Sequence, residues 1–280
     1  MSEGKIRVTK NSVQETLIIP LYTRVQCTKL YPEIYEDPLS ETALSRIEYD
    51  FSGVDTDSMT VKFGALETAM RQYDTACEIK AYLKEHPNAA VVNMGCGLDP
   101  MAKNLDNGTC KIYNVDFEDV IKVRNEIFPP AEREENIATD LNDFSWFEKI
   151  DGSGGAIFFA CGVFYYFKTE DVKKLFLAFA QAFHGGVLVC DTAGKTALKV
   201  MLKGIVKDKA GIENVDGYFH AGDPENDIVP WAKGFKVSYK GYMLGYSDLK
   251  VQSVPASFRF LSKVADGIMK MKILKLEFDK

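Results

Sequence analysis

The sequence predicts an α/β protein built on a doubly wound, largely parallel sheet. From about residue 65, short apolar segments alternate with amphipathic helical stretches, the pattern of strand–helix–strand units. One apolar segment, Val91-Val92-Asn93-Met94, runs straight into the turn Gly95-Cys96-Gly97. Other segments close on acids, at Asp116 and Asp140. Ligands of such sheets sit outside the carboxyl ends of the strands, where these residues fall.

Residues 1 to about 62 lack this rhythm. They hold helical fragments, Ser12–Ile19 and Ser40–Arg46, separated by Pro20, Pro32 and Pro38. This stretch reads as a helical extension, residues 1–64, packed across the sheet or over its ligand face. Residues 65–280 then form the main domain. Ala65–Lys84 places Leu66, Met70, Tyr73, Cys77 and Leu83 on roughly one helical face. His86-Pro87-Asn88 breaks that helix, and the strand through Met94 follows. Lys111–Val115 is a second strand, closed by Asp116, and Glu118–Phe128 a helix stopped by Pro129-Pro130. Ile137–Thr139 is a third strand, ending at Asp140.

Gly155–Ala160 is a fourth strand, nearly all apolar, as a strand buried on both faces should be. The helix Thr169–Phe183 opens on acids at its positive end and stops at Gly185-Gly186. Gly186–Cys190 is the fifth strand. Residues 195–234, polar and rich in Gly and Pro, read as a helix plus a lid loop. A strand near Phe235–Tyr242, a helix near Ala256–Gly267 and a strand at Met271–Phe278 complete the chain and suit an antiparallel sheet edge.

Length and charge bound the function. A chain of 280 residues suits one large domain, or one domain with a cap. The net charge of -6, with scattered Lys and Arg, argues against a nucleic-acid partner. No stretch offers the roughly 18 uncharged apolar residues of a membrane span, and the start lacks a secretory pattern. The six cysteines are dispersed without metal-ligand spacing. A cytoplasmic protein with free thiols and no metal is expected.

The glycine turn lets backbone approach a ligand, because glycine tolerates positive φ and carries no Cβ. The dinucleotide fingerprint GxGxxG needs a third glycine at position 100, which is Pro100, and that counts against NAD and FAD. S-adenosylmethionine has no pyrophosphate to cradle, so GxG is enough. Asp116 suits both ribose hydroxyls. Asp140 suits the adenine amino group, with the Leu141 backbone N–H reaching the ring. Asn93, Gly95, Cys96, Gly97 and Phe117 complete the expected cofactor contacts. Cys96 lacks a base partner and is not read as a nucleophile.

NMGCGLD, VDFEDVIKVR, DLNDFSW and CGVFYYF together resemble the leucine carboxyl methyltransferase and polyketide O-methyltransferase family. The resemblance extends to LYTRVQCTKLYP and AMRQYD and covers most of the chain. It implies a Rossmann-like class I methyltransferase fold, S-adenosylmethionine as methyl donor with S-adenosylhomocysteine as product, and Arg71 paired with the cofactor's methionine carboxylate. An arginine fork suits that task through two parallel hydrogen bonds. Two departures stand out. Members often carry arginine two residues after the Asp of GLD, where this chain has Met101. Many carry Glu before the glycine of the fourth-strand motif, where this chain has Cys161 at a cofactor-contacting position.

The expected chemistry is in-line displacement at a sulfonium methyl by a carboxylate or hydroxyl oxygen of a small molecule. Candidate acceptor-lining residues are Arg24, Lys29, Tyr165 and Tyr166. A carboxylate needs no base; a hydroxyl does, with His220 or Tyr166 as candidates. The want of a clear base leans toward a carboxylate. The two departures, and the nearness of GVFYYF to the polyketide branch, place a small molecule ahead of a protein carboxyl terminus. A catalytically silent S-adenosylmethionine-binding protein is the other alternative.

Overall fold

The computed structural model describes residues 6–7, 13–51, 55–206 and 217–279. The main sheet comprises β1 (Ala90–Met94), β2 (Lys111–Asp116), β3 (Glu134–Ala138), β4 (Ala156–Ala160), β5 (Val187–Thr192), β6 (Lys236–Gly241) and β7 (Lys272–Glu277). Their spatial order is β3-β2-β1-β4-β5-β7-β6. The first five are parallel, whereas β7 runs antiparallel to both neighbours. The carboxyl ends of β1 to β6 therefore share one edge.

Around the sheet lie α1 (Val13–Leu30), α2 (Pro38–Ser45), α3 (Met59–Glu85), α4 (Glu118–Ile127), α5 (Thr169–Ala182), α6 (Lys195–Val206) and α7 (Ala256–Gly267). One sheet face packs against α3 and α7 through Leu66, Met70, Ile79, Phe258 and Ala265. The other face meets Phe176 and Phe179 of α5 and Trp146 of a 3₁₀ turn. The central strands are buried on both faces, which is why they read as unbroken apolar runs. No described helix is long and apolar enough to cross a membrane, and the six cysteines are free.

Three elements differ from the sequence reading. Helix α1 continues through Pro20 rather than ending there. Pro20 is exposed, so the carbonyl it leaves unpaired can face water, while buried Leu21, Arg24, Val25 and Cys27 draw the next turns onto the body. Helix α3 starts before the expected Ala65, where the Ser58 side chain accepts the Val61 N–H. Its Tyr73 is exposed, and the buried stripe runs instead through Leu66, Met70, Asp74 and Thr75. Strand β3 begins at Glu134, earlier than its apolar residues suggest. That buried carboxylate accepts from Asn114 Nδ2 at 2.9 Å and Lys103 Nζ at 3.0 Å, so a polar residue is satisfied inside.

The amino-terminal helices lie against the glycine turn: Ile18 and Leu21 of α1 join Leu98 and α4 residues Val123 and Ile127 in one cluster. Within the expected lid, α6 packs Leu198 on Tyr165, and residues 207–216 lie outside the described residues. Gly217 to Ala221 then crosses the carboxyl edge. Thr169 N–H donates to the Gly217 carbonyl and Phe219 N–H to the Phe167 carbonyl, both at 2.9 Å. The Ala221 N–H donates to Thr192 Oγ1 at the end of β5, also at 2.9 Å.

Candidate cofactor and acceptor site

The turn after β1 holds two residues in the left-handed region, Gly95 at φ 59° and Gly97 at φ 46°. A Cβ on Gly95 would lie 2.7 Å from Val163 Cγ2, so the absence of a side chain lets the β1 and β4 loops meet. Buried arginines hold the turn from both sides. Arg124, on α4 and fully buried, donates from Nη1 to the carbonyls of Gly97 and Asp99, each at 2.9 Å. Arg24 donates from Nη2 to the Leu98 carbonyl at 2.5 Å and from Nε to Ser40 Oγ at 3.2 Å, beside Asp37. Three consecutive carbonyls are thus occupied. Arg24 was expected to line the acceptor; it is instead a buried brace, because Asp37 and the loop carbonyl satisfy its charge inside. Lys29, in the last turn of α1, is exposed.

Asp116, ending β2, faces the same turn. Its Oδ2 accepts the Gly97 N–H and its Oδ1 the Phe117 N–H, both at 2.8 Å. Burial pushes the Asp116 carboxyl above the usual range, against the pull of those two amides. Each oxygen keeps lone-pair capacity for a further donor. Phe117 is 53% exposed next to it. Asp140 is exposed after β3 and closes an Asx turn, its Oδ1 accepting the Asn142 N–H at 2.9 Å, while Leu141 is buried. Cys96 is buried, and desolvation pushes its thiol up to about 12. It is a neutral thiol at physiological pH.

Farther along the edge stands Arg71 of α3. Its Nη1 lies 3.5 Å from Asp191 Oδ2, at the end of β5. Asp191 Oδ1 accepts the Gly162 N–H at 2.6 Å. Gly162 adopts φ 71°, and a Cβ there would sit 2.5 Å from Arg71 Nη1, so only glycine lets the guanidinium pack on this backbone. Cys161 Sγ contacts Thr75 Oγ1 at 3.6 Å, and burial pushes its thiol up to about 12. Nε of Arg71 and Nδ2 of Asn93 are buried without hydrogen-bond partners, as are Nε and Nη2 of Arg124 behind the glycine turn. Unsatisfied buried donors are rare and call for a ligand or water.

Tyr165 is buried, and burial pushes its hydroxyl well up, with Asp191 and Tyr242 adding to the rise. Tyr166 is 48% exposed. His220 brings Nδ1 within 2.9 Å of the Tyr218 carbonyl. A carbonyl only accepts, so Nδ1 is the donor in this contact. Sequence reasoning passed over Asp191, Gly162, Tyr242 and Glu67. Asp191 had a visible signal, an acid closing an apolar strand as Asp116 does. Glu67 had none: it lies one turn before Arg71 on α3, half-buried, and burial pushes its carboxyl up to about 7 against the attraction of Arg71.

A subset of the candidate residues therefore lies along one edge: Asp116 to Gly97, Gly95 to Val163, and Gly162 to Asp191 and Arg71. Parallel strands β1–β5 with an antiparallel β7, and a glycine turn facing a strand-end acid, define the class I methyltransferase fold. The chain belongs to the leucine carboxyl methyltransferase family, whose model matches residues 28–180. It is 28% identical over 171 residues to the tetracenomycin polyketide synthesis O-methyltransferase TcmP of Streptomyces glaucescens, covering 61% of each chain. It is 30% identical over 158 residues to the S-adenosyl-L-methionine-dependent methyltransferase dpfgK of Gibberella zeae, covering 52% of each. The chain thus spans between about half and three-fifths of the length of these relatives.

Among solved structures, the plantazolicin methyltransferase BpumL, in complex with a triazolic desmethylPZN analog and SAH, superposes with a TM-score of 0.51 at 14% identity. The match covers 96% of this chain and 100% of that one. A DUF574 family protein from Streptomyces avermitilis gives 0.55 at 10% identity, covering 92% and 97%. At such identities these structures bear on the fold alone.

Proposed function

We propose that this protein is an S-adenosylmethionine-dependent O-methyltransferase acting on a carboxylate or hydroxyl of a small molecule. The observation that carries this reading is the contiguous edge, in which a glycine turn, a carboxylate locked to it and a half-buried arginine line adjoining strand ends. The cofactor supplies an electrophilic methyl when bound. Asp116 would hold the ribose, Gly95, Cys96 and Gly97 the backbone contacts, and Arg71 the amino-acid carboxylate. Asn93, Phe117, Asp140, Leu141 and Cys161 would complete the pocket. The unpartnered donors of Arg71 and Asn93 fit a ligand rich in acceptors. The amino-terminal helices, residues 1–64, and the segment 195–234 would serve as cap and lid on the domain 65–280, excluding water from the transfer. TcmP, named for O-methylation in polyketide synthesis, supports a small-molecule acceptor.

The chain's residues supply positioning first. Tyr165, Tyr166 and His220 would line the acceptor side, with His220 or Tyr166 as the candidate base. Glu67 adds a second acid–base group beside Arg71, with its carboxyl up at about 7, where a general base works best. The test is methyl transfer to matched phenols, alcohols and carboxylic acids, followed as a function of pH with wild type, His220→Gln and Glu67→Gln. Transfer to an oxygen acceptor supports the reading. An ascending pH limb lost in one variant marks a hydroxyl acceptor and its base, and a flat profile in all three marks a carboxylate. Cofactor binding without transfer to any acceptor would sink the enzymatic reading in favour of a silent binding protein.

A further inference from the structure

The amino-acid end of S-adenosylmethionine carries an ammonium as well as a carboxylate, and Arg71 can answer only the second. The opposite charge stands beside it. Asp191 is 3% exposed, and its two oxygens are engaged unequally: Oδ1 takes the Gly162 N–H at 2.6 Å, whereas Oδ2 reaches Arg71 Nη1 only at 3.5 Å. A tight buried arginine–carboxylate pair is bidentate and shorter. Oδ2 therefore retains capacity for another donor. The register of β4 on β5 pairs Ala160 with Cys190, so Asp191 stands next to Cys161, the position at which the sequence lacks an acid.

We propose that Asp191 is a cofactor-binding residue, accepting the cofactor's α-ammonium on Oδ2 while holding Arg71 in place for the α-carboxylate. This rests on the S-adenosylmethionine reading above. The two side chains form a charge pair whose polarity matches a zwitterion. Other acids nearby are less suited. Asp99 is spent on Gln72 Nε2 at 2.8 Å and on the Met101 N–H at 2.9 Å, and Glu67 lies a helical turn away, about 6 Å along α3. Cys161, its thiol held up at about 12, offers no negative charge. Gly162 fixes the geometry, since its N–H orients the Asp191 carboxylate and its bare Cα carries the guanidinium.

The test is calorimetric binding of three ligands that share the adenosyl thioether. S-adenosylhomocysteine has both charges, S-adenosyl-3-thiopropylamine lacks the carboxylate, and 5′-methylthioadenosine lacks both. Asp191→Asn should weaken the first two by about ten- to a hundredfold and leave the third within about twofold. Arg71→Gln should weaken S-adenosylhomocysteine alone. On the wild type, which needs no substitution to fold, the amine should bind more tightly than 5′-methylthioadenosine, because an arginine without a competent carboxylate would repel it. Equal losses for all three ligands in Asp191→Asn, or an amine that binds wild type more weakly than 5′-methylthioadenosine, would overturn the proposal. Failure of wild type to bind even 5′-methylthioadenosine would instead remove the cofactor reading beneath it.

Discussion

Asp74 shows what one buried residue contributes to pH dependence. It is fully buried on α3, and neither carboxylate oxygen has a hydrogen-bond partner. Burial, then Asp266, push its carboxyl up to about 9, with Lys240 opposing and Glu78 adding. A raised carboxyl pKa means that the native state keeps a proton the unfolded chain releases. Its contribution is fully present below the ordinary value of 3.8 and is lost as pH rises through about 9. Asp74→Asn should therefore gain stability relative to wild type as pH rises across that window, read from denaturant midpoints. Parallel profiles for the two proteins would show that Asp74 does not titrate in this way. The residue was hidden in the sequence because an acid on a helix reads as solvated. Asp116 was legible for the converse reason, since an acid following a strand and a glycine turn has few other tasks.

At the scale of elements, the glycine turn depends on the helices flanking it. Arg124→Met keeps the volume on α4 but removes the donors to the Gly97 and Asp99 carbonyls. Leaving those carbonyls buried and unpaired should cost about 2–4 kcal/mol, measured by urea unfolding, and should weaken S-adenosylhomocysteine binding in parallel. An unchanged affinity would mean that the turn holds its shape alone. Pro20→Ala should act in the other direction. It restores a helical N–H inside α1 at an exposed position and should stabilise by about 1–2 kcal/mol.

Strand and helix positions were largely legible, because apolar runs closed by Gly, Pro or Asp mark their own ends; α7, Ala256–Gly267, has the bounds expected. Helix α1 and strand β3 were not, because their extents follow from tertiary burial of Leu21 and Glu134 rather than from local pattern. Arg24 and Arg124 were likewise unreadable. Their partners are main-chain carbonyls between 25 and 74 residues away, which carry no side-chain signature.

For the whole molecule, the sheet order brings together residues from 71 to 191 along one edge, and the family membership extends over residues 28–180. A net charge of -6 favours neither a nucleic-acid nor a strongly acidic partner. The central claim is that this edge is an S-adenosylmethionine pocket gripped by Asp116. Its most direct test is isothermal titration of wild type and Asp116→Ala with S-adenosylhomocysteine, with NAD as the control ligand. Saturable binding of S-adenosylhomocysteine but not NAD, reduced at least about tenfold in the variant, is the predicted result. No binding to wild type, or equal binding to both proteins, would contradict it.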